Sequence, residues 1–265
     1  MDQSLSYIHP DAKIGANVVI DPFVSIANDV VIGEGTWIGS NATIMEGARI
    51  GKNCKIYPGA VVSGVPQDLK YKGEKSITEI GDNTVVRECV TINRGTASKD
   101  KTVIGDNCLL MAYVHVAHDC ILGDNVIIGN ASQLAGEVII DDWAILSGLV
   151  AVHQFVHIGA HVMISGGSLV RKDVPPYIKA AHEPLAYAGV NSIGLRRRNF
   201  ENEKINEILE MYREIYLKGN NNSIAIENIE TNMPASSERD EVVQFFRNSQ
   251  RGIIKGNNNK SGKSE

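Results

Sequence analysis

Branched apolar residues recur at every sixth position through most of this 265-residue chain. A first series runs Ile8, Ile14, Ile20, Ile26, Ile32, Ile38, Ile44, Ile50, Ile56 and Val62. A second runs Ile80, Val86 and Ile92, and a third runs unbroken from Ile104 to Val170. None of these positions holds a polar residue, a Phe or a Met. Four residues after each comes a small side chain (Ala, Val, Ser, Thr or Cys), with Pro66 the single exception.

A period of six is neither the 3.6 of a helix nor the 2 of a flat strand. It suits a short strand followed by a corner, with the branched residue always turned inward. Three such edges make a triangular coil of 18 residues, and coils stack by parallel pairing at about 4.8 Å. The repeats amount to roughly eight coils, or about 40 Å of sheet at that spacing. One large and one small side chain per edge fill a narrow prism and leave no room for rings, in keeping with an aromatic content of 6%. The pattern resembles the left-handed parallel β-helix of the hexapeptide-repeat transferases. The left hand comes from that resemblance alone, because the usual crossover rule favours the opposite hand.

The period fails at 68–79 (DLKYKGEKSITE) and 98–103 (SKDKTV), two polar stretches expected to leave the prism as loops. The longer one has the length and charge of a binding flap. The register ends at Pro175-Pro176, giving a β-helix over 1–176 and a helical region over 177–254. Ile205, Ile208, Leu209, Tyr212, Ile215 and Tyr216 form one helix face, with Gly219 as its stop. Further helices are expected over 223–232 and 237–249, the latter capped by Ser237. Residues 255–265 read as a disordered tail. The helices are expected to cap the open end of the solenoid, which otherwise exposes strand edges.

The charge balance, 26 Lys and Arg against 31 Asp and Glu, gives no general case for nucleic-acid binding. The start, MDQSLSYIHPD, lacks the pattern of a secretory signal. No run approaches the ~18 apolar residues of a membrane span. A cytoplasmic protein is the expectation. Cys54, Cys108 and Cys120 fall on the small inward position and Cys89 one residue before it, so all four read as buried packing thiols. Paired CxxC spacing for zinc is absent.

Hexad phase also sorts the histidines. None of His115, His118 and His153 is in an inward phase, and His118 falls at a corner. Residues 18 apart stack, so His118 lies under Gly136 and Gly136 under Gln154. A glycine over a corner histidine sets an unobstructed backbone N–H about 5 Å from a base. Acyl transfer to a hydroxyl needs such a pair, one group to remove the proton and one to hold the oxyanion.

The runs LLMAYVHVAHDC (109–120), LAGEVIIDD (134–142), AVHQFVHIGAHVM (151–163) and DVPPYI (173–178) resemble the acyl-carrier-protein-dependent UDP-N-acetylglucosamine O-acyltransferases of lipid A biosynthesis. So do QDLKY (67–71), RECVTINRGT (87–96) and GVNSIGLRRRNF (189–200). The resemblance covers nearly the whole chain. It implies a homotrimer with sites between neighbouring prisms, and no cofactor or metal. It implies transfer of an (R)-3-hydroxyacyl chain from acyl carrier protein to the 3-hydroxyl of UDP-N-acetylglucosamine. His118 matches the catalytic base, and Gly136 matches the oxyanion glycine. Asp119 is placed to fix the histidine tautomer. His115, His153 and Gln154 match substrate-contacting positions, and Asp68 and Lys70 match the flap that meets the sugar nucleotide. Asn191, Arg197 and Arg198 match the nucleotide-binding part of the helical region. Gly166 matches the position where side-chain bulk limits acyl length, so a glycine there predicts room for a long chain.

Asn93 and Glu137 stand where many members carry histidine, and Ile193 where glutamate is frequent. These departures leave open a rival on the same fold, N-acylation of a UDP-diaminosugar. The N-acyltransferase of the later pathway step normally carries an extra N-terminal domain, whereas the hexads here begin at Ile8. A zinc-dependent carbonic anhydrase and a non-enzymatic solenoid are further alternatives. Residues 165–200 hold six basic residues (Arg171, Lys172, Lys179, Arg196, Arg197, Arg198) against two acidic ones. That is the expected docking patch for an acidic carrier protein, part of it binding the diphosphate.

Overall fold

A computed structural model describes residues 5–256, and its backbone is a triangular prism of parallel strands followed by a helical region. Most strands are two residues long, an outward residue followed by the inward branched one, as in His115–Val116 and Gln133–Leu134. Every third strand pairs. Among the described residues the three faces hold nine, eight and eleven strands. On face one the register runs Thr91↔His115↔Gln133↔Ala151↔Leu169, a step of 24 residues across the second loop and steps of 18 from His115 upward. Corner one follows face one, corner two follows face two, and corner three follows face three.

Most corners turn through a residue at positive φ, recurring every six residues at Asn17, Phe23, Asp29, Gly35 and Asn41 and beyond. The left-handed conformation costs least for Gly and Asn. Phe23, Tyr113, Trp143, Leu149 and Phe155 nevertheless hold it, with exposed side chains. Inside, the branched columns are dry: Ile26, Ile56, Ile92, Leu110, Ile128 and Leu134 are fully buried. Cys54, Cys108 and Cys120 are buried free thiols. Cys89 departs from expectation: it occupies the positive-φ corner position and is exposed.

Both excursions begin and end three to four residues earlier than the sequence suggested. Ile77–Ile80 and Lys101–Ile104 are strands that pair with each other on face two. Their inward residues Thr78 and Thr102 are fully buried, and the period broke because Glu74 and Ser98 stand where the branched residue is expected. The loops that leave the prism are residues 65–76 and 94–100.

Beyond the last coil, Ile178–Ala181 and Ala186–Val190 form an antiparallel hairpin that extends face three, an element the period did not announce. Four helices follow: α1 Ser192–Arg197, α2 Asn202–Tyr216, α3 Asn222–Asn232 and α4 Ser237–Asn248. Helix α2 buries Ile205, Ile208, Met211, Tyr212 and Ile215. Its Tyr212 hydroxyl donates to Pro176 O at 2.6 Å, and its ring stacks on Tyr187 of the hairpin. Helix α4 is capped by Ser236, not Ser237: the Ser236 Oγ accepts the Arg239 N–H at 3.2 Å. Buried Asp173 ties the end of the chain to the prism by accepting from His157 N–H at 2.8 Å and Ser249 Oγ at 2.6 Å. Of the tail expected to be disordered, Lys255–Gly256 is a strand paired with Ala186 and Tyr187, and residues 257–265 lie outside the described residues. No described helix is long and apolar enough to cross a membrane.

Candidate active site at a corner of the prism

At corner one, residues 118, 136 and 154 occupy the same place on successive rungs. The neighbouring amides fix this: Glu137 N–H donates to His118 O at 2.9 Å, and Phe155 N–H to Gly136 O at 3.3 Å. A Cβ built on Gly136 would lie 2.5 Å from both Cε1 and Nε2 of His118, so the imidazole sits directly against the bare Cα. Ala135 and Glu137 N–H groups are both bonded, but that of Gly136 has no partner among the described residues.

At corner two a ladder of aspartates takes up the equivalent amide. There the N–H groups of Asp82, Asp106 and Asp124 each donate to the carboxylate one coil above, at 2.7, 2.7 and 2.8 Å. Buried backbone donors are rarely left unpaired. With Gly136 in place of an aspartate, and a histidine under it, corner one keeps one donor available for a ligand oxygen.

His118 is 8% exposed, with Asp68 of the longer loop beside it and its partner Asp119 held by the 94–100 loop. Its Nδ1 lies 2.7 Å from Asp119 Oδ2. An ionised carboxylate accepts only, so Nδ1 carries the proton and Nε2 presents a lone pair. Asp68 of the longer loop stands 3.8 Å from that Nε2. Adjacent side chains do meet here because Asp119 adopts φ +60, which folds its carboxylate back toward the imidazole. His115 is anchored through Nδ1 to Thr91 Oγ1 at 2.7 Å. Burial first, and the nearby His118 second, hold its basicity below the usual imidazole range.

His153 and Gln154 lie one coil above Gly136 and two above His118. His153 Nδ1 accepts from Arg251 at 3.0 Å, a residue from the far end of the chain. On the loop, Asp68 Oδ1 accepts the Lys70 N–H at 2.9 Å, and the Lys70 side chain is exposed. Asp68, Lys70, His115, His118, Asp119, Gly136, His153 and Gln154 therefore belong to one neighbourhood.

Four expected site residues lie on other edges. Gly166 is exposed at corner three, where a Cβ would meet only Gly148 O at 3.1 Å and Ser147 Cβ at 3.7 Å. Asn191 is buried and works within the fold, donating to His161 O at 2.9 Å and capping α1. Arg198 lies over the Trp143 ring at corner two, donating to Trp143 O at 2.9 Å and His161 Nδ1 at 3.3 Å. Arg197 is exposed beside it. The expected basic patch divides likewise. Arg171 and Lys172 line an open cavity of about 550 Å³ with His182 and Lys255, while Arg196–Arg198 flank corner two. Asn93 is buried, donating to Val65 O at 3.1 Å, with its Oδ1 unpaired.

Phase could not reveal Thr96, Lys99 and Thr102, which hold Asp119, nor Arg251. Thr96 and Thr102 look like ordinary small residues in the pattern, and Arg251 is 98 residues from its partner. Among the described residues no group of three or more His, Cys, Asp or Glu is placed to hold a metal ion.

Residues 173–254 match the family model described as UDP N-acetylglucosamine O-acyltransferase, domain 2. Residues 11–36, 29–64 and 101–136 match the bacterial transferase hexapeptide model. The solved structure of a UDP-N-acetylglucosamine acyltransferase from Bacteroides fragilis is 55% identical, with TM-score 0.95 over 96% of this chain and 100% of that one. One from Francisella novicida is 41% identical, with TM-score 0.94 over 97% and 94%. The acyl-[acyl-carrier-protein]–UDP-N-acetylglucosamine O-acyltransferase of Thiobacillus denitrificans is 39% identical over 191 residues, 72% of this chain and 74% of that protein. The fold is the left-handed β-helix that the resemblance implied, with the C-terminal helical region expected from the change of period after Pro176. Repeat, corner geometry and similarity along the chain agree: the protein belongs to the acyl-[acyl-carrier-protein]–UDP-N-acetylglucosamine O-acyltransferase family.

Proposed function

We propose that this protein transfers an (R)-3-hydroxyacyl chain from acyl carrier protein to the 3-hydroxyl of UDP-N-acetylglucosamine, the first step of lipid A biosynthesis. The carrying observation is the Nε2 lone pair of His118 beneath the unpartnered Gly136 N–H. His118 Nε2 takes the proton of the sugar hydroxyl as its oxygen attacks the thioester carbonyl. The Gly136 N–H meets the oxyanion. When the tetrahedral intermediate collapses, the carrier thiolate leaves and the imidazolium returns the proton to sulfur. Asp119 fixes the tautomer throughout and steadies the imidazolium. Both substrates meet in one cleft, so no acyl-enzyme is needed.

The assembly proposed is a homotrimer. Gly166, Arg197 and Arg198 stand on different edges from His118, and no single prism can turn all three edges toward one ligand. A cleft between neighbouring prisms can. Gly166 then leaves room for a long chain, and Arg197 and Arg198 meet the nucleotide, Arg197 with its guanidinium exposed.

The test is a mass-spectrometric assay with a ladder of 3-hydroxyacyl carriers and two acceptors, UDP-N-acetylglucosamine and its 3-amino analogue. O-acylated product is expected, with His118→Ala folded and nearly inactive. Turnover of that variant above about a tenth of wild type overturns the base assignment. Product with the amino acceptor alone would replace the hydroxyl by an amine in the same mechanism.

A further inference from the structure

Asp119 is fully buried, and every hydrogen-bonding position of its carboxylate is engaged. Oδ1 accepts the backbone N–H of Thr96 at 2.9 Å and of Lys99 at 3.2 Å. Oδ2 accepts from His118 Nδ1 at 2.7 Å and from the Thr96 hydroxyl at 2.6 Å. The Asp119 N–H in turn donates to Thr102 Oγ1 at 2.8 Å. A buried ionised carboxylate persists only with such partners. The loop over 94–100, which interrupts the repeat, is therefore built around the group that holds the base.

These donors are not equivalent. Backbone N–H groups on Oδ1 survive almost any substitution on the loop. The Thr96 hydroxyl is a side-chain donor, and it shares one oxygen with the imidazole. It fixes the carboxylate's rotation and draws charge from the lone pairs that His118 uses.

We propose that Thr96 is a positioning residue for the reaction, acting through Asp119 to orient His118 and to moderate its proton affinity. The proposal rests on the reading of His118 as the base. Four ionisable groups face His118 or its partner: Asp119 on its corner, Asp68 from the longer loop, His115 from face one, and Lys99, whose ammonium is 3.4 Å from Asp119 O. Removing the Thr96 hydroxyl alters none of them directly. It leaves the Oδ2 charge to the imidazole alone, so the protonated form gains and the neutral base becomes scarcer at a given pH. The carboxylate also gains freedom to turn, which misaligns the ring.

The experiment compares wild type, Thr96→Val and Thr96→Ser as full-length proteins. It reads kcat and KM against pH with a 3-hydroxyacyl carrier and UDP-N-acetylglucosamine, and follows the His118 ring by NMR titration of isotope-labelled histidine without substrate. Thr96→Val is expected to lower kcat about tenfold near neutral pH, as a misplaced catalytic group does. KM for the sugar nucleotide should stay within about twofold. The acid limb of the kcat profile, and the NMR midpoint, should move up by roughly half to one pH unit. Thr96→Ser, which keeps the hydroxyl, should restore both.

Wild-type kcat and limb in Thr96→Val overturn the proposal, and so does a loss that Thr96→Ser fails to restore while the limb stays put. If the valine variant does not fold, Thr96→Cys with its weak S–H donor takes its place, and limbs coincident with the serine variant overturn the coupling. The two possible failures are distinguishable. A wild-type protein that acylates neither acceptor while the NMR midpoint still rises sinks the catalytic reading. Normal turnover with an unmoved midpoint sinks the role of Thr96.

Discussion

The imidazole of His118 lies flush against the Cα of Gly136, 2.5 Å from where a Cβ would stand. The ring cannot retreat, because Nδ1 is held at 2.7 Å by Asp119, itself fixed from the 94–100 loop. A methyl at 136 must therefore push the base or lift its own rung. Gly136→Ala is expected to lower kcat about a hundredfold, in line with a 1 Å misplacement of a catalytic group. The backbone at 136 needs no positive φ, so the protein should fold and its melting temperature should change little. Steady-state kinetics beside a thermal melt check this, and near-normal turnover in the alanine variant would remove Gly136 from the site.

Asp68 faces the other ring nitrogen at 3.8 Å. Asp68→Asn keeps the side chain's size and removes its charge beside the ring. KM for UDP-N-acetylglucosamine is expected to rise severalfold, since the loop presents Asp68 to the site. Steady-state kinetics with the sugar nucleotide varied check this, and a KM within about twofold of wild type would remove Asp68 from the site.

The fold was legible because each inward position has the same environment on every rung, so Ile128 and Leu134 announce themselves by phase alone. The same phase put His118, Gly136 and Gln154 on one vertical line, since an unbroken register from Ile104 converts sequence distance into height. The losses come from polar residues that the phase cannot interpret. Glu74 and Ser98 stand at branched positions, which made the strands Ile77–Ile80 and Lys101–Ile104 read as loop. Thr96 fills an ordinary small slot, so Asp119 could be named from the sequence but its pairing with Thr96 shows only once the loop is folded back. The hairpin after Pro176 obeys no six-residue rule, and Arg251 reaches His153 by tertiary packing that no local pattern encodes.

His161 is neutral within a stack of rings. It lies parallel to Trp143 and Tyr177 and edge-on to Phe200, and its Nδ1 accepts from Arg198. Burial first, and the Arg198 charge second, push its pKa down to about 4. Between the ordinary value of about 6.5 and that point, the unfolded chain binds a proton that the folded one refuses. This residue's contribution to stability is thus fully present above about pH 6.5 and lost as pH falls toward 4. Denaturant midpoints at pH 7 and 4.5 should lie closer together in His161→Gln than in wild type. Arg198→Met should raise the His161 NMR midpoint only partway, because burial remains. A wild-type midpoint near the ordinary value contradicts the account.

Lys172 continues the corner-one line, 18 residues above Gln154 in a register carried by Ala151↔Leu169 and Val152↔Val170. With Arg171 and Lys255 it lines the cavity at that end, and Arg251 adds a further cation through His153. An acidic carrier seated there would send its thioester arm down the line past Gln154 to Gly136. Within one prism Arg198 lies at corner two, away from this seat. Lys172→Glu and Lys255→Glu are expected to raise KM for the acyl carrier about tenfold each, with kcat and the KM for the sugar nucleotide close to wild type. Since surface attraction of this kind is screened, KM for the carrier should also climb steadily as salt is raised to about 0.5 M. A carrier KM indifferent to salt and to both reversals would place the docking surface elsewhere on the protein.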